Sequence, residues 1–283
     1  MSKNGSDVHD IELLPPLRDV IASHNLRAEK KFGQNFLLDI NITDKIVRAA
    51  GDLSGIHVIE IGPGPGGLTR SLLKSNAQKI TAIEFDPRAV GALQDLIPMS
   101  QGRLEVIEAD ALSCDLTKIK PGPKAIISNL PYNIATPLLM HWLQDLHKDP
   151  ESYSTMILMF QKEVAMRIVA ESGSNSFGRL SIIAQWICDA GRVFDLPPSA
   201  FTPPPKVTSS VVQFRPRIRP VDDPSFEAVE RITAAAFGQR RKMLRSAMKQ
   251  IPGVLQKAEI DETKRAEELG VVDFIRMAKC LNA

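Results

Sequence analysis

The sequence has few cysteines and lacks any long apolar run. Its three cysteines lie far apart and form no CxxC or Cys/His cluster with metal-ligand spacing. We therefore predict reduced, mostly buried thiols, no metal site and a cytoplasmic protein. No apolar stretch approaches the roughly 18–20 residues that span a bilayer, so we expect no membrane association. Residues 1–10 are polar, which excludes a secretory signal and predicts a disordered tail over residues 1–12.

Net charge is also low, at a formal +2, and by itself indicates no class of partner. The distribution of charge is more informative, because residues 201–249 contain ten Lys or Arg against four Asp or Glu. Arg27, Lys30 and Lys31 form a second basic cluster. Such runs usually mark solvated faces. Two of them flanking a catalytic core nevertheless favour a polyanionic substrate.

Short β-rich runs alternate with helical patterns from Ile56 onward. This alternation predicts βαβ units, a mostly parallel sheet and helices on both of its faces. The predicted strands cover residues 57–61, 79–85, 104–107, 125–128, 155–160, 182–190 and 207–214. The predicted helices cover residues 68–74, 87–97, 136–146 and 163–171.

The pattern changes near residues 215–220, where two prolines interrupt regular structure. Beyond Pro224 the spacing of apolar residues is helical. The residues that carry this spacing are Phe226, Val229, Ile232, Ala236 and Phe237. We therefore predict a boundary at residue 216, with an α/β domain over residues 13–216 and a small helical domain over residues 217–283.

Residues 60–68 form a glycine-rich turn between a predicted strand and a predicted helix. Gly62, Gly64 and Gly67 fit the spacing G-x-G-x-x-G, in which glycines let the backbone approach a nucleotide. The match is weak alone, since many nucleotide-binding folds share it. Pro63 and Pro65 remove two N–H donors, which makes the turn less suited to a pyrophosphate than to an amino acid or a sugar.

Two acidic residues end the next two predicted strands. Glu84 follows Gly62 by 22 residues, where an acid can accept the ribose hydroxyls of an adenosine moiety. Asp110 could accept the amino group of an adenine, or could equally cap a short helix. Ligands bind at the carboxyl ends of such strands, so we expect the turn and both acids to share one crevice.

The segment from Asn129 to Tyr132 follows the fourth predicted strand. The Asn129 side chain and the Leu130 carbonyl can each accept one N–H of an aromatic amine, which aims its lone pair at an incoming methyl group. Pro131 fixes the turn, and Tyr132 can stack on a base. No general base is required, so positioning and electrostatics supply the catalysis. The alternative is an ordinary strand-to-helix loop. The residues thus favour an S-adenosylmethionine-dependent methyltransferase acting on an adenine amino group in RNA.

Five segments together resemble one family, the ribosomal RNA adenine N6,N6-dimethyltransferases of the KsgA type. They cover residues 32–37, 60–64, 129–133, 201–207 and 236–242. The resemblance implies a Rossmann-like class I methyltransferase fold with a seven-stranded sheet. It also implies dimethylation of two adjacent adenosines near the 3′ end of 16S rRNA in the small subunit or its precursor, a role in subunit assembly, and a monomer.

The resemblance also carries residue roles onto this sequence. Catalytic roles fall on the segment from Asn129 to Tyr132, namely Asn129, Leu130, Pro131 and Tyr132, with Phe201 as a second aromatic face for the base. Phe201 could instead be a packed loop aromatic. Cofactor contacts fall on Asn35, Leu37, Gly62, Glu84, Asp110 and Asn129. RNA contacts fall on Lys206, Arg240, Arg241 and Lys242.

Other functions remain open from the sequence. The macrolide-resistance branch methylates large-subunit rRNA, but Gly33, Leu130 and residues 238–242 favour the small-subunit branch. Methylation of DNA or of a protein glutamine uses similar loops; the resemblance argues against the first and the basic clusters against the second. An oxidoreductase would explain neither the segment from Asn129 to Tyr132 nor the basic end of the chain. A non-catalytic assembly factor would not need the intact pocket.

Overall fold

The structure is a computed structural model, which describes residues 14–26, 34–119 and 122–281. The predicted tail over residues 1–12 and the basic cluster at Arg27, Lys30 and Lys31 lie outside the described residues, as does Gly33.

A seven-stranded sheet forms the centre of the molecule, with strand order β4-β3-β2-β5-β6-β9-β7. Strands β2 to β6 pair in parallel, and β9 pairs antiparallel with both β6 and β7, so the predicted mostly parallel sheet is confirmed. A separate antiparallel pair joins β1 to β8. The strands are β1 (Phe36–Leu37), β2 (His57–Ile61), β3 (Lys79–Glu84), β4 (Leu104–Glu108), β5 (Lys124–Ser128), β6 (Thr155–Gln161), β7 (Cys188–Leu196), β8 (Phe201–Thr202) and β9 (Ser209–Pro216).

Helices cover both faces of the sheet and fill the end of the chain. Because both faces are covered, the central strand β2 is buried along its whole length, and three of its five residues are Val or Ile. The helices are α1 (Leu17–Ser23), α2 (Ile40–Ala49), α3 (Gly67–Lys74), α4 (Pro87–Gln94), α5 (Tyr132–Lys148), α6 (Lys162–Ile168), α7 (Arg179–Ile187), α8 (Phe226–Phe237), α9 (Leu244–Ala247), α10 (Val254–Lys257) and α11 (Val271–Lys279).

The order of the strands reverses between β2 and β5. The chain runs outward from β2 through β3 to β4, and then returns to place β5 on the other side of β2. Neighbouring crossovers leave in opposite directions at such a point, which opens a crevice at the carboxyl ends of the strands. The crevice between β2 and β5 is therefore the expected position of a ligand.

The prediction of a strand over residues 182–190 was wrong. Residues 179–187 form helix α7, and strand β7 begins only at Cys188. Helix α7 packs against α5, α6 and α8, so most of its side chains are buried whichever way they point. A helix buried on several sides loses the 3.6-residue periodicity that distinguishes a helix from a strand.

The helices after residue 216 share a core with the sheet domain. One buried cluster contains Trp142 of α5, Trp186 of α7, Val229 of α8 and Phe274 of α11. The ring of Phe237 also stacks on that of Phe274, with 5.6 Å between centroids. The predicted helical region is therefore present, while a domain boundary at residue 216 stays a prediction.

Within the described ranges, no helix is both long enough and apolar enough to cross a membrane.

Candidate active site

A cavity of about 200 Å³ lies at the carboxyl edge of the sheet, between the ends of β2 and β5. The structure brings nine of the predicted catalytic and cofactor residues to its walls. They are Asn35, Leu37, Gly62, Glu84, Asp110, Asn129, Leu130, Pro131 and Tyr132. We call this cavity the catalytic cavity.

The glycine turn, residues 60–68, contacts the segment from Asn129 to Tyr132, which we call the transfer segment. Gly62 has a φ of 63°, and a Cβ at this position would lie 3.3 Å from the Cδ atom of Pro131. Gly64 also has a positive φ, and its Cβ would lie 2.8 Å from a ring carbon of Phe36. The Ser128 hydroxyl donates to the Ile61 carbonyl at 2.6 Å, which joins the ends of β5 and β2. A Cβ on Gly67 would lie 2.5 Å from the Leu37 carbonyl, so close packing disfavours a side chain at all three glycines of the motif.

The N–H groups of the glycine turn are already used within the protein. Gly62 N–H donates to the Ile83 carbonyl at 2.9 Å, and Gly66 N–H donates to the Pro63 carbonyl at 3.1 Å. Gly64 N–H donates to Oε2 of Glu84 at 3.0 Å. A pyrophosphate is held by free N–H groups converging on its oxygens. Because these three donors are engaged within the protein, they are not available to a phosphate.

Glu84 is buried at the end of β3, with 6% of its surface exposed. Its Oε1 accepts the N–H groups of Phe85 at 2.8 Å and Asp86 at 2.9 Å. Burial raises the pKa of Glu84, and these N–H donors, with that of Gly64, oppose the rise. A carboxylate can accept about four hydrogen bonds, so three N–H groups leave one position, on Oε2, for a further donor.

Asp110 caps a short helix, which was one of the two roles that the sequence left open. Its Oδ1 accepts the N–H of Leu112 at 3.0 Å and caps a single helical turn, Ala111–Ser113. The residue also lines the catalytic cavity. The cap occupies one carboxylate oxygen and leaves Oδ2 as an acceptor, so the adenine contact stays a prediction compatible with the cap.

Asn129 directly follows β5, and a hydrogen bond to the residue before β1 orients its side chain. Its Nδ2 donates to the main-chain carbonyl of Asn35 at 3.0 Å. Because the amide nitrogen is engaged there, Oδ1 is the atom left to accept a hydrogen bond. In the described part of the chain, no N–H donates to the Leu130 carbonyl. Two acceptor oxygens on consecutive residues are thus available to a single amine.

Tyr132 is the first residue of helix α5 and lines the catalytic cavity. Its hydroxyl shares a hydrogen bond with the Ser209 hydroxyl at the start of β9. Burial raises the pKa of the Tyr132 phenol, and the bond to Ser209 opposes the rise. The bond fixes the ring position, which suits a stacking surface better than an acid or a base.

The structure does not bring Phe201 into the catalytic cavity. Phe201 pairs with Leu37 between β8 and β1, is 3% exposed and packs in a cluster with Leu196. Stacking on a base requires an accessible ring, so this arrangement corresponds to the packed loop aromatic that was the alternative. A stacking role for Phe201 would require its side chain to leave this cluster.

The predicted RNA-binding residues lie at the surface but differ in their surroundings. Lys206, Arg241 and Lys242 are exposed. Arg240 donates from Nη2 to the carbonyls of Asn175 and Phe177, the latter at 3.0 Å. Arg240 therefore joins the helical region to the segment before α7, in addition to any contact with RNA.

Comparison with known proteins extends these observations. The family described as Ribosomal RNA adenine dimethylase matches residues 25–283. A protein named Ribosomal RNA small subunit methyltransferase A from Agrobacterium fabrum is 52% identical over 275 residues, covering 96% of this chain and 99% of that protein. The protein of the same name from Rhodospirillum rubrum is 49% identical, covering 95% and 93%. The chain belongs to the ribosomal RNA adenine dimethylase family.

Solved structures agree with this assignment. A dimethyladenosine transferase from Plasmodium falciparum superposes with a TM-score of 0.72 at 28% identity, covering 86% of this chain and 96% of that one. The 23S rRNA methyltransferase ErmE superposes with a TM-score of 0.65 at 23% identity, covering 88% and 100%, which shows a shared fold. The predicted family, the class I methyltransferase fold and the methyltransferase class of enzyme are confirmed.

Among the residues of the cavity of this dimethylase that sequence reasoning missed is a buried acid, Glu60. Its side chain lies on the cavity wall, is 1% exposed and accepts a hydrogen bond from the Thr69 hydroxyl at 2.7 Å. Burial raises the pKa of Glu60 to about 8, and the nearby Glu84 contributes to the rise. The signal available in the sequence was an acidic residue between the two isoleucines of a predicted buried strand.

Glu60→Gln is expected to change how the stability of the protein depends on pH. The pKa of Glu60 is about 8 in the folded chain and near 4.5 in the unfolded chain, so between these values only the folded state holds the proton. The free energy of unfolding therefore falls as pH rises from about 5 to 8, by up to about 1.4 kcal/mol per pH unit. The glutamine variant lacks this contribution.

Urea denaturation of both proteins at pH 5, 6, 7 and 8 measures the effect. The stability of Glu60→Gln relative to the unmodified chain should increase steadily with pH. Glu108→Gln is the matched control, because Glu108 is an exposed acid at the end of β4. A constant difference at all four pH values would show that Glu60 is ionised in the folded protein.

Proposed function

We propose that this dimethylase uses S-adenosylmethionine to dimethylate the N6 amino groups of two adjacent adenosines near the 3′ end of 16S rRNA. The observation that carries the proposal is the pair of available acceptors, Oδ1 of Asn129 and the Leu130 carbonyl, at the wall of the catalytic cavity. The names of relatives about half identical to this chain support the choice of rRNA and of the small subunit.

The lining of the catalytic cavity fits S-adenosylmethionine better than a dinucleotide. The N–H groups of Gly62, Gly64 and Gly66 are engaged within the protein, and the acids Glu84 and Asp110 stand on the cavity walls. Acidic walls favour a cationic ligand, such as one that carries a sulfonium and an ammonium group. When bound, this cofactor supplies an electrophilic methyl group on sulfur.

Each predicted cofactor residue has a role consistent with its position. Oε2 of Glu84 accepts a ribose hydroxyl, and Oδ2 of Asp110 accepts the adenine amino group. Gly62, Asn35 and Leu37 form backbone and apolar walls. Gly62 packs on Pro131, so a cofactor held by these residues would lie against the transfer segment.

The transfer segment holds the target amine. Asn129 Oδ1 and the Leu130 carbonyl each accept one N–H of the adenine amino group, which draws the nitrogen lone pair out of the ring plane and toward the methyl group. Tyr132 stacks on the flipped base, a contact worth about 1–3 kcal/mol. With S-adenosylmethionine bound, the nitrogen would form its bond to the methyl carbon as the carbon–sulfur bond breaks and S-adenosylhomocysteine leaves, and the proton of the resulting cationic amine would pass to solvent. The chain itself supplies position and polarity.

Mass spectrometry of small-subunit rRNA tests the proposal. Ribosomal particles that lack the modification are incubated with the protein and labelled S-adenosylmethionine, and the rRNA is digested and sequenced. We expect two adjacent dimethyladenosines near the 3′ end of 16S rRNA. Label only in large-subunit rRNA, or none in either subunit, would contradict the proposal. A role in subunit assembly follows if the protein also prefers precursor particles.

Replacing Arg241 and Lys242 with alanine is expected to weaken binding to rRNA and to reduce its salt dependence. Each cation that binds a phosphate releases counterions, so removal of two such cations should lower the slope of log K against log salt by about 1.4–1.8. Filter binding between 50 and 300 mM salt measures this slope. Arg240 is left intact because it joins two parts of the fold.

The matched control removes Lys124 and Lys148. Lys124 begins β5 at the amino edge of the sheet, and Lys148 ends α5, roughly 25 Å from Tyr132 at the rise of an α-helix. The control should leave the slope unchanged. Equal slopes for both double variants and the unmodified chain would place Arg241 and Lys242 outside the RNA interface.

A further inference from the structure

A second cavity, of about 850 Å³, lies beside the catalytic cavity on the other side of β1. It is bounded by α1, the start of α2, α3 and the segment before β8. Three cationic side chains and one carboxylate stand among its walls; they are Arg18, Arg70, Lys74 and Asp39. We call it the basic cavity.

Among the described residues, Arg70 is a buried cation without a balancing anion. Its side chain belongs to a residue that is 8% exposed, and its Nη1 donates to the Pro15 carbonyl at 2.8 Å. Its Nε is buried without a hydrogen-bond partner among the described residues. Burial lowers the pKa of Arg70, and in the part of the chain that the structure describes no charged neighbour offsets that effect. A buried guanidinium with an unsatisfied N–H is costly unless an anion joins it.

The other charges of the basic cavity leave it open to an anion. Lys74 forms a long ion pair with the Asp44 carboxylate, at 3.8 Å, and an ammonium group has three donors, so the pair leaves further donors for an anion. Arg18 is exposed on α1. The one acid on the wall, Asp39, is engaged as the cap of α2, since its Oδ1 accepts from the main chain and side chain of Asn41 at 2.9 and 3.1 Å.

The two cavities share their dividing wall. Gly67 and Leu68, at the start of α3, line the catalytic cavity, while Arg70 and Lys74 on the same helix line the basic cavity. Helix α3 and β1 are in direct contact, because a Cβ on Gly67 would lie 2.5 Å from the Leu37 carbonyl. At 1.5 Å per residue, Arg70 is only about 5 Å further along the helix than Gly67.

We propose that the basic cavity binds a backbone phosphate of the RNA strand that carries the target adenosine. The proposal rests on the proposed function. A strand whose base enters the catalytic cavity passes its flanking phosphates across the wall formed by α3 and β1. Phosphate contacts of this type set the register of a nucleic acid without reading its sequence. Arginine suits such a site, because its guanidinium can donate two parallel hydrogen bonds to a phosphate.

The first test compares the double variant Arg18→Ala/Lys74→Ala with the unmodified enzyme. We expect KM for rRNA to rise about threefold to tenfold and the salt slope of rRNA binding to fall by about 0.7 for each cation that no longer binds a phosphate. The kcat and the affinity for S-adenosylmethionine should not change. Lys124→Ala/Lys148→Ala is again the control. Unchanged KM and salt slope in an enzyme that still methylates rRNA would overturn this inference and leave the proposed function intact.

The second test identifies the source of the phosphate. A fragment of the rRNA substrate is prepared with single methylphosphonates, which remove one backbone charge at a time. One or two positions next to the target adenosines should weaken binding to the unmodified enzyme by several-fold and have no effect on the double variant. Inorganic phosphate is the second probe. Thermal stabilisation by phosphate without any methylphosphonate position that depends on Arg18 and Lys74 would indicate a small-anion site and overturn the proposal.

Discussion

Asn129→Ala is expected to lower kcat for methyl transfer on the order of 10²–10³-fold, the usual effect of removing one aligned polar group from a transition state. The variant loses the oxygen that accepts one N–H of the target amine. It also loses the bond from Nδ2 to the Asn35 carbonyl, which is a neutral hydrogen bond worth about 1 kcal/mol. The fold should therefore persist, with a small decrease in melting temperature. Single-turnover methylation of small subunits and a thermal melt measure the two effects.

Two further variants separate catalysis from stability. Asn76→Ala removes an asparagine with two comparable hydrogen bonds, from the Leu53 N–H at 3.2 Å and to the Asp52 carboxylate at 2.6 Å, away from the catalytic cavity. It should reduce stability by a similar amount and leave kcat unchanged. Asn129→Asp keeps an acceptor oxygen but sets a carboxylate against the Asn35 carbonyl, so the side chain should rotate and kcat should still fall. Near-normal transfer by Asn129→Ala would contradict the assignment.

The catalytic cavity could be predicted from the sequence because its parts follow strands that are themselves easy to identify. Strand β2 was predicted with its observed bounds, His57–Ile61, because burial on both faces favours β-branched apolar residues such as Val58, Ile59 and Ile61. Parallel strands bring their carboxyl ends to one edge. Glu84 and Asn129 each follow or end such a strand, so their convergence needed no further information.

Contacts between distant parts of the chain could not be predicted in this way. The burial of Phe201 depends on the pairing of β8 with β1, and no local pattern specifies that partner. The same holds for Asn129, whose amide is oriented by a residue 94 positions earlier. Arg240 looked like a free surface cation, but its guanidinium meets two carbonyls of a segment that the sequence places far away. In each case the residue type indicated the chemistry of the side chain, but the groups that surround it in the fold could not be predicted from the sequence.

The hydrogen bonds that Glu84 makes on the wall of the catalytic cavity could not be predicted from the sequence either. Glu84 was predicted to accept both ribose hydroxyls, yet three backbone N–H groups occupy most of its carboxylate. Its role is therefore double: it holds the glycine turn through Gly64, and it offers one remaining position to a ligand. Removal of the Glu84 side chain should therefore reduce both stability and cofactor affinity. A substitution that keeps only the acceptor for the backbone N–H groups should separate the two effects.

Glu84→Ala is expected to weaken binding of S-adenosylmethionine about 10- to 100-fold, because a charge-assisted hydrogen bond is worth about 1.5–3 kcal/mol. Three N–H groups lose their acceptor, so the melting temperature should fall as well. Glu84→Gln restores the acceptor for Phe85 and Asp86 but directs an NH₂ group at the Gly64 N–H. It should recover most of the stability while cofactor affinity stays low, because the atom that faces the ligand is no longer an acceptor.

Calorimetric titration with S-adenosylmethionine and a thermal melt distinguish these outcomes. Glu108→Ala is the matched control: Glu108 pairs with Glu84 across β3 and β4 and ends its strand in the same way, but it is exposed and does not line the catalytic cavity. It should bind the cofactor normally. If Glu84→Gln also bound the cofactor with unchanged affinity, the carboxylate would act only on the glycine turn, and the ribose would have to be held by another residue of the wall.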